Sequence, residues 1–290
     1  PLGFMNFIDQ MKYRYQTFGV VERLIVILVA CFVLPFLLRT VLFLFSIPFD
    51  QFFTWFQLSA SFEDLLYRPW TIASYAFFHG DFGHIFWNLI LLHFAGRMMV
   101  NLFKSQLFLN TFFLGVLVGG ATFVLSYNFF PAFQVQSPRL IGSSAGVMAV
   151  LIFMCSYMPY KDVRIFVFNI KLIYIGLLFI ALDLIQIPVN NAGGHLAHLG
   201  GALIGFFYQR NIARGNDFGQ WISNFWKSVS TLFTFKRTRV RKVYRSPKPK
   251  PKQKDVNQEK IDEILDKISQ SGYASLTKEE KEFLFRAGKS

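Results

Sequence analysis

Long apolar runs separated by short polar stretches occupy the first three quarters of the chain. A helix needs about 20 apolar residues to cross the hydrocarbon core of a bilayer, and six runs approach or exceed this length. We therefore predict six membrane-spanning helices, at 23–46, 82–101, 105–127, 141–158, 171–187 and 196–213. The predicted fold class is all-α: a polytopic membrane protein with a bundle of six transmembrane helices and a small helical cytoplasmic tail.

The residues that precede and separate the first two spans differ in composition from the spans. Residues 1–22 are predicted to be a cytoplasmic N-terminal segment, in which residues 1–4 resemble a cloning scar. Residues 47–72 are rich in Phe and Trp and carry few charges. Such a composition favours the boundary between lipid and water, so we expect an interfacial, partly helical segment there. The six-helix membrane domain is placed at 23–213.

Three further segments follow the last span. Residues 214–235 have aromatic and aliphatic side chains at helical spacing, which predicts an amphipathic interfacial helix. Residues 236–254 contain ten basic residues and no acidic ones, and their alternating Pro and Lys predict an extended linker. Residues 255–290 are predicted to form a small helical hairpin, whose second helix starts at a capping box of Thr277 and Glu280. The hairpin is interpreted as a docking module, and a solvated charged tail is the alternative.

The composition supports a membrane protein and argues against nucleic-acid binding. Hydrophobic residues form 53% of the chain and charged residues 16%, whereas roughly a quarter of a soluble domain is charged. The net charge is +13, but 19 of the 30 Lys and Arg residues lie after Tyr208. Topology and anionic lipid explain such a tail, and we expect this lipid to be its partner. Cys31 and Cys155 lie inside apolar runs and are interpreted as core residues.

The basic residues of the short loops set the orientation of the chain. Most of them fall on the side of the two termini, so the positive-inside rule places both termini in the cytoplasm. These residues are Lys12, Arg14, Arg97, Lys104, Lys161, Arg164 and Lys171, against Arg68 and Arg139 on the other side. The second, fourth and sixth spans then all run from outside to inside, so the polar residues near their starts share one depth. Those residues are His84, Asn88, Ser144 and His198.

A glycine-flanked serine in the fourth span is the candidate nucleophile. The stretch from Gly142 to Gly146 reads Gly-Ser-Ser-Ala-Gly and places Ser144 at or near a helix N-terminus. Backbone amides there lack partners within the helix and can receive a developing oxyanion. Polar groups inside apolar helices mark function by default, and a serine with a histidine is the minimal nucleophile and base. The alternative is a serine that bonds back to a backbone carbonyl in a helix-packing face.

His198 in the sixth span is the candidate general base. It lies beside a face on which small residues recur every four positions, so a partner helix can approach closely. We expect that partner to be the fourth span. The small residues are Ala197, Gly201 and Gly205 on the sixth span, and Gly142 and Gly146 on the fourth. His195 is the competing base, but it lies off the small-residue face.

Two residues of the second span are candidate donors to an oxyanion. His84 and Asn88 are i, i+4 neighbours on one helix face, and both side chains can donate hydrogen bonds. The alternative is a polar clasp between helices with no catalytic role. His79 is expected to organise the site, and His93, deeper in the span, to be structural.

Neither an acidic partner for the histidine nor a metal site is predicted. Asp183 in the fifth span is the acidic candidate near the outer side, and we expect it to pair with Arg139 or with interfacial water. The predicted catalytic unit is therefore a dyad of Ser144 and His198. The five histidines include no helical His-Glu-x-x-His motif, so no metal and no cofactor is expected.

In this order and on these spans, the polar motifs resemble the rhomboid family of intramembrane serine proteases. The resemblance extends from Arg68 to about Tyr208. Four motifs carry it: Arg68-Pro69-Trp70, His79-x4-His84-x3-Asn88, Gly142-x-Ser144 and Ala197-His198-x2-Gly201-x3-Gly205. Three positions depart from the family pattern: Ala145 stands where glycine is usual, Met148 where an aromatic residue is frequent, and Val100-Asn101 where an acidic residue is common.

The resemblance implies a role for each matching residue. Ser144 would be the nucleophile and His198 the general base. The oxyanion hole would comprise His84, Asn88 and the backbone amide of Ser144, with support from His79, Gly142, Gly201 and Gly205.

The resemblance also implies an activity. It is a serine endopeptidase that cleaves transmembrane segments of membrane proteins near the outer face of the bilayer, through an acyl-enzyme and without a cofactor. The expected location is the bacterial cytoplasmic membrane, and the oligomeric state stays open. The alternative is a non-catalytic relative that binds transmembrane helices for chaperoning or quality control, but a pure binder needs neither Ser144 nor His198. A transporter would call for midplane charges and inverted repeats, which the sequence lacks.

Overall fold

The computed structural model describes residues 6, 9, 15, 17–133, 138–165, 167–233 and 256–288. Backbone contacts divide the chain into two compact units, Pro1–Phe235 and Lys236–Ser290. The residues interpreted as a cloning scar, 1–4, and the basic linker predicted at 236–254 lie outside the described residues.

Helices make up most of the first unit. Each of the six apolar runs contains one helix, and these are α1, α5, α6, α7, α8 and α9 of the following series. In chain order the elements are α1 (Val20–Leu44), α2 (Asp50–Thr54), β1 (Leu58–Ser59), α3 (Phe62–Tyr67), α4 (Thr71–Ser74), α5 (Phe82–Val100), α6 (Ser105–Phe129), β2 (Arg139–Leu140), α7 (Ser144–Tyr157), β3 (Asp162–Ile165), β4 (Phe168–Lys171), α8 (Leu172–Gln186), α9 (Ala192–Ala213) and α10 (Gln220–Phe233).

Among the described residues, two helices are long and apolar enough to be candidate membrane spans by length and composition. These are α1 and α6, with 25 residues each. Helices α7 and α8 are apolar but shorter, at 14 and 15 residues. The mostly helical class predicted from the apolar runs is therefore confirmed, while the crossing of the bilayer by all six helices stays a prediction.

Helix α7 forms the centre of the first unit. Its eleven residues from Ala145 to Cys155 are all buried. Helices α5, α6, α8 and α9 pack around it. A helix that is hydrophobic on every side is stable only when it is enclosed on every side. Ser144 therefore begins the helix that the others surround.

Small residues allow α9 to approach α7 closely. A Cβ atom added to Gly201 would overlap the carbonyl oxygen of Ala145, and one added to Gly205 would overlap the carbonyl oxygen of Ala149. The predicted partnership of the fourth and sixth runs is thus confirmed. The residues of α7 that form the contact, however, are alanines.

The expected use of Gly142 and Gly146 in this contact is wrong. A Cβ at Gly146 would lie 2.8 Å from the ring of Phe112 in α6, and one at Gly142 would meet the ring of His84. Successive residues of a helix are about 100° apart around its axis. Gly146 therefore faces α6 when its neighbour Ala145 faces α9.

A two-residue strand pairing ties the segment before α3 to the segment before α7. Strands β1 and β2 are antiparallel, with Leu58 opposite Leu140. Two residues further on, the N–H of Gly142 donates a hydrogen bond to the carbonyl of Tyr75 at 2.9 Å. These bonds fix the backbone immediately before Ser144.

Aromatic and cationic side chains hold the predicted interfacial segment together. The rings of Trp55 and Trp70 stack with centroids 6.3 Å apart, and the Arg68 guanidinium lies 4.8 Å from the Trp55 ring centroid. Arg68 Nη1 also donates to the carbonyl oxygen of Thr54 at 3.0 Å. Because α2, α3 and α4 fall within or at the end of residues 47–72, the expectation of a partly helical segment is confirmed.

An antiparallel hairpin of β3 and β4 joins α7 to α8, with Asp162 opposite Lys171. This hairpin was not expected from the sequence. Each strand has four residues, a length at which alternation cannot be told from a loop.

Helix α10 is amphipathic, as predicted for residues 214–235. Ile222 is buried, while Trp221 and Phe225 are exposed. The ring of Trp226 packs against that of Phe113 in α6, with centroids 5.4 Å apart. One side of α10 therefore packs against α6, and another side exposes aromatic rings.

The second unit contains α11 (Val256–Ser271) and α12 (Lys278–Ala287). Thr277 and Glu280 form the predicted capping box, in which each side chain accepts a hydrogen bond from the other residue's backbone N–H. Lys267 Nζ lies 2.8 Å from Glu280 Oε1, which links the two helices. The two predicted helices and their cap are confirmed.

Candidate active site

A cavity of about 360 Å³ lies between side chains of α5, α7, α8 and α9. It is lined by Asp81, Gly83, His84, Trp87, Asn88, Leu91, Ser144, Val147, Met148, Phe179 and His198. The structure thus brings together the four polar residues that were expected to share one depth. His79, Gly142, Gly201 and Gly205 lie outside this lining and support the elements that form it.

Ser144 is the first residue of α7 and is partly exposed to the cavity. The first four N–H groups of a helix have no acceptor within it, so the Ser144 amide is free of intrahelical bonding. Ser143 precedes it as the N-cap residue and is fully buried. The side-chain hydroxyl and the backbone amide of Ser144 therefore both lie at the start of α7, beside the cavity.

Gly142 is required for the turn that presents Ser144. Its φ of +122° is a conformation that residues with a Cβ atom rarely adopt. A Cβ atom would also lie 2.5 Å from Cε1 and 2.6 Å from Nε2 of His84. The absence of a side chain here lets the His84 ring lie against the backbone of the serine loop.

His79 holds the serine loop from behind. It is fully buried, its Nε2 lies 3.1 Å from Ser143 Oγ, and the same nitrogen accepts the Ser143 N–H at 3.3 Å. An accepting nitrogen carries no proton, which requires the neutral ring. Burial, together with the nearby His84, lowers the pKa of His79 to about 3. The neutral His79 ring thus anchors the loop that precedes Ser144, in line with the expectation that His79 organises the site.

Helix α5 begins at the cavity and aims His84 and Asn88 into it. Asp81 caps the helix by accepting the His84 N–H at 2.8 Å. One hydrogen of the Asn88 amide is donated to the His84 carbonyl at 2.9 Å, which fixes the amide plane. The second amide hydrogen and the His84 ring remain able to donate toward the cavity.

His198 is bonded to an acidic residue, contrary to the expectation for Asp183. Its Nδ1 lies 2.8 Å from Asp183 Oδ1 in α8. Asp183 is only 5% exposed, and its hydrogen-bond partners among the described residues are two histidines rather than Arg139. The expected pairing with Arg139 is therefore wrong. No local sequence signal gave this contact, because it depends on how α8 is rotated against α9.

His195 bonds to the same carboxylate oxygen, with its Nδ1 2.7 Å from Asp183 Oδ1. It does not line the cavity, whereas His198 does. Two histidines and a carboxylate are also chemically suited to a metal ion, and their ligand atoms lie within 4.8 Å of one another. The 2.7 and 2.8 Å separations are hydrogen-bond lengths, however, shorter than the roughly 3.3 Å between ligand atoms around tetrahedral zinc.

The departure at Ala145 is accommodated by α6. A Cβ atom built at Gly119 would lie 2.5 Å from the Ala145 methyl, so this methyl occupies space that Gly119 leaves open. At the second departure, Met148 lines the cavity together with the aromatic ring of Phe179. His93 is exposed on α5 and lies outside the cavity lining. Nothing in the structure explains the departure at Val100-Asn101.

The cavity has the groups that acyl transfer requires. It offers a hydroxyl nucleophile on Ser144, an imidazole on His198 with its Nδ1 engaged, and donors from two further side chains. A larger cavity of about 490 Å³ has Thr122 as its single polar side chain, so it offers no comparable pair of nucleophile and base.

Comparison with known proteins gives two family matches and one curated relative. A family model described as Rhomboid domain matches residues 67–214, and a family of unknown function, DUF6576, matches residues 251–289. The relative is RHOMBOID-like protein 12, mitochondrial, from Arabidopsis thaliana, 26% identical over 160 residues. That alignment covers 51% of this chain and 48% of the relative, so the chain spans about half of the relative's length.

The Rhomboid-domain match spans half of the chain and contains all four polar residues of the cavity. Its boundaries also agree with the segment, Arg68 to about Tyr208, over which the sequence motifs show the resemblance. With its long apolar helices, this chain is a membrane protein that belongs to the rhomboid family.

Proposed function

We propose that this protein is an intramembrane serine endopeptidase that cleaves transmembrane segments of other membrane proteins. The observation that carries the proposal is the shared cavity, in which three helices contribute a serine, a histidine and two side-chain donors. Family membership alone leaves a catalytic and a non-catalytic role open. The proposal therefore rests on the chemistry of these four side chains.

Ser144 Oγ is the proposed nucleophile and His198 its general base. Because Nδ1 of His198 is bonded to Asp183, Nε2 is the nitrogen available to receive a proton. As Ser144 Oγ attacks the scissile carbonyl carbon, its proton moves to Nε2 of His198 and the carbonyl oxygen becomes an oxyanion.

Three donors are proposed to stabilise this oxyanion: the ring N–H of His84, the side-chain amide of Asn88 and the backbone N–H of Ser144. Two hydrogen bonds hold His84 and Asn88 in place before substrate arrives. Asp81 accepts one from the backbone N–H of His84, and the side-chain amide of Asn88 donates the other to the His84 carbonyl. Removal of one such preorganised donor typically raises a barrier by about 3 kcal/mol.

The tetrahedral intermediate then collapses to an acyl-enzyme on Ser144. His198 gives its proton to the leaving amine nitrogen, and the C–N bond breaks. A water molecule next donates a proton to His198 while its oxygen attacks the ester carbonyl carbon. His198 then returns this proton to Ser144 Oγ as the ester C–O bond breaks, which releases the carboxylic acid product and restores the serine.

The proposed setting is a bilayer crossed by six helices, with both termini in the cytoplasm and the cavity toward the outer face. Water would reach the site from that side. The proposed location is the bacterial cytoplasmic membrane, and the basic stretch at 236–254 is proposed to lie on anionic lipid. Substrates are expected to have small residues at the cut and helix-breaking residues nearby, as the family resemblance implies.

Labelling by a fluorescent fluorophosphonate tests the nucleophile directly. The purified full-length protein is compared with Ser144→Ala and His198→Ala, and Ser126→Ala serves as a control because Ser126 is a buried serine of α6 outside the cavity. We expect labelling of the wild type and of the Ser126 variant, none of Ser144→Ala, and only a slow residual labelling of His198→Ala that is detected at long incubation. Cleavage of a model transmembrane substrate in liposomes should follow the same pattern.

Two results would overturn the proposal. Labelling and cleavage that survive in Ser144→Ala would assign the nucleophile elsewhere. A folded wild-type protein that neither labels nor cleaves, but retains transmembrane segments in a pull-down, would point to the non-catalytic binder.

A further inference from the structure

Among the described residues, the carboxylate that contacts the proposed base is that of Asp183, which lies outside the predicted dyad. We propose that Asp183 is a positioning residue that orients His198, so that the working unit is a Ser144–His198–Asp183 triad with His195 as a second clamp on the carboxylate. This inference rests on the proposed function, since it concerns how the same base is held.

The first support is the tautomer that the contact imposes. An ionised carboxylate only accepts hydrogen bonds, so the Nδ1 of His198, 2.8 Å from Asp183 Oδ1, must carry the proton. The neutral ring then has its lone pair on Nε2, the nitrogen that has to take the proton of Ser144. Without Asp183, the neutral ring is free to carry its proton on Nε2 instead. Nε2 then has no lone pair to accept the proton of Ser144, so His198 cannot act as the base in that tautomer.

The second support is the unequal bonding of the carboxylate. Oδ1 receives both imidazole N–H groups, whereas Oδ2 is buried and has no hydrogen-bond partner among the described residues. A buried charge with few partners is costly unless an opposite charge lies nearby. When His198 becomes protonated during the reaction, it supplies that charge. The interaction is therefore stronger in the transition state than at rest, which is the condition for acceleration.

The third support is the local structure at the start of α9, which places His195 and His198 beside Asp183. Asn191 has a left-handed backbone, with φ of 41°, and its side chain caps α9 by accepting the Gly194 N–H at 3.3 Å. The helix therefore begins at Ala192, three residues before His195. His195 and His198 are three residues apart, so both project from one face of α9 toward α8. His195 lies outside the cavity lining, and its bond holds Asp183 while His198 faces the substrate.

Asp183→Asn is the decisive variant, because it keeps the shape and removes the charge. Measured in liposomes with a model transmembrane substrate and with EDTA present, kcat should fall at least 100-fold while KM changes less than threefold. His195→Gln should lower kcat by tenfold or less. Asp217→Asn is the matched control, since it removes another carboxylate that accepts a side-chain hydrogen bond, from Tyr208; it should keep the wild-type kcat.

A double variant separates orientation of the base from a general structural effect. If Asp183 acts through His198, the rate of fluorophosphonate labelling at long incubation should be equal in His198→Ala and in Asp183→Asn/His198→Ala. Folding is checked by gel filtration and thermal unfolding in detergent. Asp183→Ser is the second test if the asparagine variant aggregates, and it should show the same loss of kcat with little change in KM.

The proposed function and this inference fail in different ways. Activity that persists in Ser144→Ala would remove the proposed function. Loss in Ser144→Ala together with a wild-type kcat in folded Asp183→Asn would leave the function intact and refute the triad. A tenfold or greater rise of KM with unchanged kcat would also refute it, because it would place Asp183 in substrate binding.

Discussion

The two units of this chain use polar side chains in opposite ways. Inside the helix bundle of the first unit they are few and enclosed, as in the bond between His198 and the 5%-exposed Asp183. In the second unit they are many and exposed, as in the pair of Lys267 and Glu280. An ion pair in water contributes little to stability, whereas a buried polar group must be paired at a specific place. The difference shows why the enclosed polar residues of the first unit point to a candidate site, whereas the exposed ones of the second unit carry little such information.

The largest expected contrast is between two serines, one in each unit. Ser144→Ala should lower kcat/KM of transmembrane-substrate cleavage by about 10⁴-fold or more, because removal of a nucleophile abolishes the covalent route. Ser275→Ala removes an exposed hydroxyl that bonds to the Gly272 carbonyl, and it should leave kcat/KM unchanged. Equal losses in the two variants would contradict the assignment of catalysis to the first unit.

The next effect concerns the contact between α9 and α7. Gly201→Ala places a Cβ atom in the carbonyl oxygen of Ala145, so α9 must move away and carry His198 with it. We expect a loss of about 1–3 kcal/mol in stability, as for other overpacked sites, together with a large loss of activity. Thermal unfolding in detergent and substrate cleavage measure the two effects.

Gly80→Ala is the matched control for this substitution, because a Cβ atom there meets nothing within 4 Å. It should unfold within about 1 °C of the wild type, as expected for a change of a few tenths of a kcal/mol or less. If Gly201→Ala behaves in the same way, the helices are not as close as described.

A smaller effect is expected from the pH dependence of stability. The pKa of His79 is about 3 in the folded protein, against 6.5 ordinarily, so the unfolded chain alone binds this proton between those values. Stability from the neutral ring is fully present above pH 6.5 and is lost as the pH falls toward 3, by up to about 1.4 kcal/mol per pH unit. His79→Asn should therefore flatten the fall of the melting temperature between pH 6.5 and 4. A slope equal to that of the wild type would mean that the folded protein protonates His79 in this range.

The smallest effect is expected in the second unit. Thr277→Ala removes the side-chain acceptor of the capping box, which is typically worth about 1 kcal/mol of helix stability. Hydrogen exchange in the first turn of α12 should accelerate roughly fivefold, which corresponds to that energy. Activity in liposomes should not change. A drop in cleavage would show that the second unit affects the active site.

The sequence predicted those parts of the molecule that depend on one element at a time. The six apolar runs each contain a helix, and the capping box at Thr277 is local by construction. The gathering of His84, Ser144 and His198 in one cavity followed from counting spans and charges, because three parallel spans bring their first residues to one level. Their catalytic roles stay predictions.

The parts that the sequence did not predict depend on the rotation of one helix against another. Asp183 is twelve and fifteen residues from its two histidines, with a turn between, and no periodicity relates them. Likewise, Gly146 and Ala145 are neighbours in sequence but face different helices. An apolar helix such as α7 has no polar face to show how it is turned.

The contact between Ala145 and Gly119 has a consequence for how such a sequence can change over time. A Cβ atom at 119 would lie 2.5 Å from the Ala145 methyl and 2.7 Å from the backbone carbonyl oxygen of Ala197. Loss of the methyl at 145 would remove the first overlap but leave the second, because a backbone oxygen cannot be substituted away. Position 119 is therefore restricted to glycine whichever small residue occupies 145, whereas position 145 is free to lose its methyl group.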